Sequence, residues 1–288
     1  QCPSRFTEIK FHNSIPWKEL YFQGGKGFTR VTAAIRLRSP KGFCPVGTTG
    51  LFSGFMPCPL EKADIRVLSV ETAMSNLIPP QEEYTQHVWF KQETDQALQR
   101  LRIKKGNSPW IKAYTWNENG VSRLKIQPKH PLDVNKKPEK WKKTHKSFYP
   151  FPKKTRCQII SEPTLLFHLL SRIDTKKTRF PLELCIFGKK ELHRVIIRLM
   201  RLEPLKVSFE SYGLQGTRRI EKNVTPLVFF ISEPPSQDKK KREQFSLLGL
   251  RDEIFIFVDP KTRLPVRLMG KTSKFGHIVL ALTGAWLK

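Results

Sequence analysis

The stretch EIFIFVDPKTRLPVRLMG, Glu253–Gly270, decides the fold of this chain. Two short runs rich in Phe, Ile, Val and Leu flank a turn built on Asp259, Pro260 and Lys261. Apolar residues at alternating positions, with turn formers between them, specify a β-hairpin. A hairpin of this kind is scaffold, and it points to a protein that binds.

Outward from that hairpin the same pattern repeats. Candidate strands fall at Leu20–Gln23, Arg30–Leu37, Ile65–Glu71, Tyr84–Gln92, Leu98–Lys104 and Trp110–Trp116. Asn117-Glu118-Asn119-Gly120 supplies a turn into Val121–Gln127. Later strands are expected at Leu182–Phe187, His193–Leu202, Lys206–Ser211, Leu227–Ser232 and near His277–Leu287. The order RVIIRLMRL over Arg194–Leu202 is not clean alternation, so a bulge or twist is expected there. Strands at this spacing imply a mainly β chain: a curved antiparallel sheet forming a barrel or half barrel, with one short helix and long loops. We read residues 1–288 as a single β-rich domain carrying a loop insert at 38–62 and a basic loop insert at 128–156. The helix is SEPTLLFHLLSRID, Ser161–Asp174, with Ser161 as its N-cap, Pro163 in the first turn and Leu165, Leu166, Leu169, Leu170 and Ile173 at helical spacing. His168 lies among these apolar residues and is expected to be structural.

The chain has 288 residues, 39% of them hydrophobic, enough to bury a real core. Its formal net charge is +27, from 52 Lys and Arg against 25 Asp and Glu. That excess attracts polyanions such as nucleic acid, anionic lipid headgroups or acidic polysaccharides, although a solvated Lys-rich surface has the same composition. No apolar run reaches the roughly 18 residues of a membrane-spanning helix, so a soluble chain is expected. The chain begins Gln1-Cys2-Pro3 without an initiator Met, as a chain with its signal peptide removed would, or a trimmed one.

The basic segment HPLDVNKKPEKWKKTHKSFYPFPKKTR, His130–Arg156, has nine Lys or Arg against two acids, with aromatic rings interleaved. In one reading it is a mobile loop gripping an anionic surface through Lys136, Lys137, Lys140, Trp141, Lys142, Lys143, Lys146, Lys153, Lys154 and Arg156. In the other it is a solvated loop whose aromatics anchor it to the sheet. Lys239–Arg242 reads as an ordinary loop.

Five cysteines allow two bridges, Cys44 with Cys58 in a Gly/Pro-rich loop and Cys157 with Cys185 around the helix, leaving Cys2 over. Five unpaired small hydrophobes in a cytosolic protein are the other reading. The seven His show no metal-ligand spacing, and no nucleophile elbow or phosphate loop is present beyond a weak lookalike at Gly24–Gly27. Adjacent carboxylates such as Glu82-Glu83 and Asp252-Glu253 fall on opposite faces of a strand, wrong for a dyad. A non-enzyme with no cofactor is expected.

The order of these elements resembles the bacterial family called domain of unknown function 3108. FTRVTAAIRL resembles an early strand of that family, and VWFKQETDQALQRLRIKKGNSPWIKAYTWNENGVSRLKIQP its central meander. IISEPTLLFHLLSRID resembles its short helix, with Glu162-Pro163 where an Asp-Pro pair is usual, and EIFIFVDPKTRLPVRLMG its closing hairpin. The resemblance covers most of the chain but not the segments 38–62 and 128–156. It implies an exported, periplasmic or cell-envelope protein of curved β architecture with no settled activity. The expected function is therefore a non-enzymatic envelope binding or scaffold module for an anionic or amphiphilic partner: lipid, lipopolysaccharide or polysaccharide. The alternative is a nucleic-acid-binding protein using the basic aromatic loop.

Overall fold

The hairpin forms. In the computed structural model, which describes residues 9–40, 64–75, 82–141, 143–152, 160–234, 243–273 and 276–288, strand β16 (Leu250–Val258) pairs antiparallel with β17 (Pro265–Thr272). The backbone N–H of Asp259 donates to the carbonyl of Leu264 at 2.9 Å, and that of Arg263 donates to the carbonyl of Asp259 at 2.7 Å. Arg263 closes the turn in the left-handed region, at φ 56. Asp252 takes the same region at φ 57, where the register shifts between Arg251 and Phe255. Such a shift marks a bulge, which re-aims the strand.

Among the described residues the chain forms eighteen strands and one α-helix, so it is mainly β. It divides into two compact units, Gly25–Ile160 and the combination of Gln1–Gly24 with Ser161–Lys288.

The second of these is organised on the longest strand, β18 (Gly276–Leu287). It pairs antiparallel with β17 and with β1 (Trp17–Lys26), and parallel with β12 (Leu205–Gly213) over Glu210–Tyr212. From β16 the sheet continues antiparallel to β14 (Leu227–Ser232), β11 (Leu192–Arg201) and β10 (Leu182–Phe187). The bulge expected in Arg194–Leu202 is absent, since β11 keeps a continuous register with both neighbours. Arg194 and Arg198 are exposed while Val195 and Ile197 are fully buried, so alternation holds where sheet burial is one-sided.

The helix is shorter than its sequence pattern. A 3-10 turn over Pro163–Leu165 leads into α1 (Leu166–Arg172). The cap is Glu162 rather than Ser161: its carboxylate accepts the Thr164 N–H at 2.8 Å and the Thr164 hydroxyl at 2.5 Å. Every residue of α1 is buried, His168 and Arg172 included. A helix apolar on most sides belongs in a core. Here Trp17 donates its indole N–H to Ser171 Oγ at 3.0 Å, and Phe22 meets Phe167 with centroids 6.1 Å apart. Each fully buried large side chain contributes roughly 1.5–3 kcal/mol of transfer free energy.

The unit Gly25–Ile160 is a meander. Strands β2 (Thr29–Arg38), β3 (Ile65–Ser75), β4 (Glu82–Lys91), β5 (Gln96–Lys105), β6 (Trp110–Asn117), β7 (Gly120–Gln127) and β8 (Lys143–Pro150) each pair antiparallel with the next. Among the described residues no pairing joins β2 to β8, so this sheet is open. The segment expected as a loop at 128–156 thus contains a strand, β8. KTHKSFYP is too polar to announce itself, and its register on β7 supplies what its own apolar content does not. Of the insert 38–62, residues 41–62 lie outside the described residues.

Candidate functional site

Strands β5 to β8 hold four, one, two and two Lys or Arg respectively, and no Asp or Glu. Register decides where these charges go. Leu101 pairs with Ala113 and Ala113 with Leu124, while Ile103 pairs with Ile111 and Ile111 with Ile126. These residues form one face, packed with Ile65, Val67, Trp89 and Trp141 into a core cluster. The alternate residues form the other face. There Arg102 pairs with Lys112, Lys112 with Lys125 and Lys125 with His145, a rung crossing four strands. The next rung runs Arg100, Tyr114, Arg123, Ser147.

Aromatic rings lie between these cations. Arg100, 2% exposed, stacks over Tyr114 at 4.1 Å and Trp116 at 5.4 Å. Lys112 lies 3.9 Å from the Trp110 centroid, and Arg102 lies 5.7 Å from it. Arg123, 8% exposed, sits 5.1 Å from the Tyr149 ring and donates to Ser147 Oγ at 3.1 Å. Cation–π contact of this kind gives about 0.5–1 kcal/mol when exposed and about 2 when desolvated, and it fixes the heads of long side chains. Glu82, on β4, is the acid of this face among the described residues; it accepts from Lys104 at 3.3 Å and from the Tyr84 hydroxyl at 3.0 Å. Burial, followed by that bond and the Glu82 charge, pushes the Tyr84 phenol up to about 12.

The register of this rung sets like charges against one another. Like charges directly opposite on neighbouring strands destabilise a sheet, by roughly the 0.2–1 kcal/mol that favourable pairs contribute. Here two such pairs follow one another, Arg102–Lys112 and Lys112–Lys125. Partial burial pulls the Lys125 ammonium below its usual range, and the Lys143 and Arg123 charges pull it further. Arg102, Lys112 and Lys125 are all half-buried, and Trp110 holds the heads of the first two.

The residues expected from sequence to meet an anion are dispersed. Lys143 extends this face at its β8 edge, whereas Lys146 alternates onto the other side of the strand. Lys136 is paired with Asp133 at 2.7 Å. Lys137 and Lys140 are exposed beside short 3-10 turns. Trp141 is 7% exposed and donates its indole N–H to the carbonyls of Asp133 and Lys136, at 3.0 and 3.1 Å. It lies in the core cluster. Lys142, Lys153, Lys154 and Arg156 lie outside the described residues, as do Cys44, Cys58 and Cys157. Cys185 is buried and disulfide-bonded. The sequence signal for the face is the period-two string Arg100-x-Arg102-x-Lys104 with Lys112-x-Tyr114-x-Trp116 and Arg123-x-Lys125.

Elsewhere, the Nδ1–H of buried His193 donates to Glu233 Oε1 at 2.7 Å, and the other Glu233 oxygen accepts the Phe245 N–H at 2.9 Å. This pair ties β11 to the start of β15 (Ser246–Leu247) and has no nucleophile in the contacts that define it. Among the described residues no group of His, Cys, Asp and Glu could hold a metal ion, and no helix is long and apolar enough to cross a membrane.

No family model matches the chain, and no curated protein matches it. It is similar to a solved structure titled as a beta-barrel-like protein of domain of unknown function DUF1849 from Brucella abortus, with 8% identity and a TM-score of 0.44 over 98% of this chain and 100% of that one. A likeness this distant brings neither a ligand nor an activity to the present chain.

Proposed function

We propose that this chain is a non-enzymatic binding module that holds an anionic partner on the β5–β8 face. The observation that carries the reading is the rung Arg102–Lys112–Lys125, in which like charges are set side by side on strands that contain no acid. A sheet that only had to fold would gain by placing neutral residues there. The net charge of +27 adds a long-range field that draws anions in.

An envelope location, with lipid, lipopolysaccharide or polysaccharide as partner, belongs to the same proposal, as does membership of domain of unknown function 3108. The disulfide at Cys185 supports it, since such bonds persist in oxidising compartments. Nucleic acid is the weaker reading: Trp110, Tyr114 and Tyr149 already carry Lys or Arg over their rings, which leaves less ring surface for bases.

Retention on immobilised heparin across a salt series tests the assignment. The double variant Arg102→Gln/Lys125→Gln is expected to elute at markedly lower salt than the parent, and Lys137→Gln/Lys140→Gln only slightly earlier. Loss confined to the Lys137/Lys140 variant would move the site to the loop.

A further inference from the structure

We infer that the unit organised on β18 carries a separate binding surface, an aromatic platform of Tyr21, Tyr212 and Trp286 that takes the pyranose rings of an uncharged glycan. It lies on other strands than the β5–β8 face and does not depend on the anion reading of that face.

Register brings the three rings together from distant parts of the chain. Trp286 on β18 pairs with Glu19 on β1 and with Tyr212 on β12, and Tyr212 pairs in turn with Thr217 on β13 (Gly216–Val224). The neighbouring rung is Tyr21, Gly284, Glu210 and Arg219. The alternate residues Leu20, Phe209 and Ala285 are buried, so these two rungs lie on the side of the sheet away from the core. Trp286 is 37% exposed there.

Gly284 lets the rings lie down. A Cβ at that position would stand 2.9 Å from Tyr212 Cε2, nearer than side chains pack, and 3.3 Å from Tyr21 Cδ2. Both rings therefore rest on the strand at a position without a side chain. The planes of Tyr212 and Trp286 differ by 24°, with centroids 6.3 Å apart, so a flat ligand lying on one is not tilted away by the other. Tyr21 meets Tyr212 at 90°, with centroids 6.1 Å apart, and bounds the platform on the β1 side. Rings at these separations touch one another, which leaves no cage between them for a quaternary ammonium.

The rim decides the ligand's chemistry. The two rungs hold Glu19, Glu210 and Arg219, two carboxylates and one guanidinium in a chain of net charge +27, so this surface is not matched to a polyanion. Glu210 accepts from Arg219 at 3.0 Å, and Glu19 accepts from the Tyr21 hydroxyl, which holds these groups in place. The Trp286 indole N–H and the Thr217 hydroxyl have no hydrogen-bond partner among the described residues. A pyranose with equatorial hydroxyls presents a flat face of C–H bonds, which lies on a ring, and a rim of hydroxyls that donate and accept. A lipid tail or an apolar protein surface would instead desolvate the charged rim without bonding it.

Isothermal titration of the full chain with cellohexaose, maltohexaose and fully acetylated chitohexaose tests this, alongside co-sedimentation with phosphatidylcholine vesicles. Parent, Trp286→Ala and Trp286→Phe proteins are compared after thermal melting confirms that all three fold. At least one hexasaccharide is expected to bind the parent, at least about tenfold more weakly in Trp286→Ala, with much of the affinity kept in Trp286→Phe. No binding by any of the three, affinity unchanged in Trp286→Ala, Trp286→Phe as weak as Trp286→Ala, or Trp286-dependent binding of vesicles alone would each overturn the glycan platform. The anion face is read separately, by heparin retention of Arg102→Gln/Lys125→Gln, so failure of one reading is distinguishable from failure of the other.

Discussion

His87 gives the chain a predictable weakness to acid. It lies on β4, on the core side of the sheet, with Nδ1 2.9 Å from Ser69 Oγ and its ring 6.3 Å from that of Trp89. Burial lowers its pKa from 6.5 to about 4; Glu71 opposes that fall and Arg38 adds to it. The folded-state value lies below the unfolded one, so the unfolded chain takes up the proton first. Stability is therefore unaffected by this group above about pH 7.5 and declines as pH falls from 6.5 towards 4. With one pKa unit equal to 1.36 kcal/mol, the loss between about pH 7.5 and about pH 4.5 comes to about 2.5 kcal/mol. Urea unfolding at several pH values measures it. In His87→Gln, which can still bond Ser69, the decline over this window should shrink by about that amount, while carboxylate-driven losses below about pH 4 remain. Parallel pH profiles for parent and variant would refute the reasoning.

Other perturbations follow from single contacts. Asp259 is buried in the hairpin turn, where it accepts from Lys222, from Thr262 Oγ1 at 2.7 Å and from the Lys261 N–H at 3.0 Å. Burial pushes its carboxyl up, but the bonds from Lys222, Thr262 and Lys261 outweigh it and hold the group below its usual range. Asp259→Ala should cost about 2–4 kcal/mol by urea unfolding, and in the parent this contribution should be lost as pH falls below roughly 4. Trp141→Ala should cost about 3–5 kcal/mol, because it empties a core position, while a folded Trp141→Phe protein should keep its heparin affinity. Glu233→Ala strands the Phe245 N–H and the buried His193 ring, and hydrogen exchange at Phe245 should rise with a loss of about 2–3 kcal/mol.

Much of the fold was legible because alternation survives wherever one face is buried. LRIKK, WIKAYTW and IFIFV each announce a strand, and Leu-Pro-Val after a turn announces the hairpin partner. Two of the longer strands were not legible. KTHKSFYP and GTRRIEKNV, the latter β13 (Gly216–Val224), are exposed along most of their length and are held by backbone pairing to β7 and β12. Burial leaves no apolar signature in such strands. The charges of the basic run at 130–156 are consecutive in sequence, yet consecutive charges alternate between faces or pair locally, as Lys136 does with Asp133. The cations that converge are separated in sequence by apolar residues and by whole strands. Their meeting depends on register, which a linear reading reaches only after every strand of the meander has been placed in order. Glu162 displaced Ser161 as the helix cap because the helix starts later than its leucine pattern, through a buried 3-10 turn.

In the proposed function, the β5–β8 face holds an anion through the like-charge rung Arg102–Lys112–Lys125. Urea unfolding of the parent and Lys125→Gln proteins at low salt, with and without saturating heparin, tests this most directly. Without ligand the variant should be more stable, by about 0.5–1 kcal/mol, since one like-charge pair is gone. With ligand the order should reverse, because binding to the folded state stabilises the parent more. A variant less stable than the parent without ligand, and no reversal with it, would contradict the account.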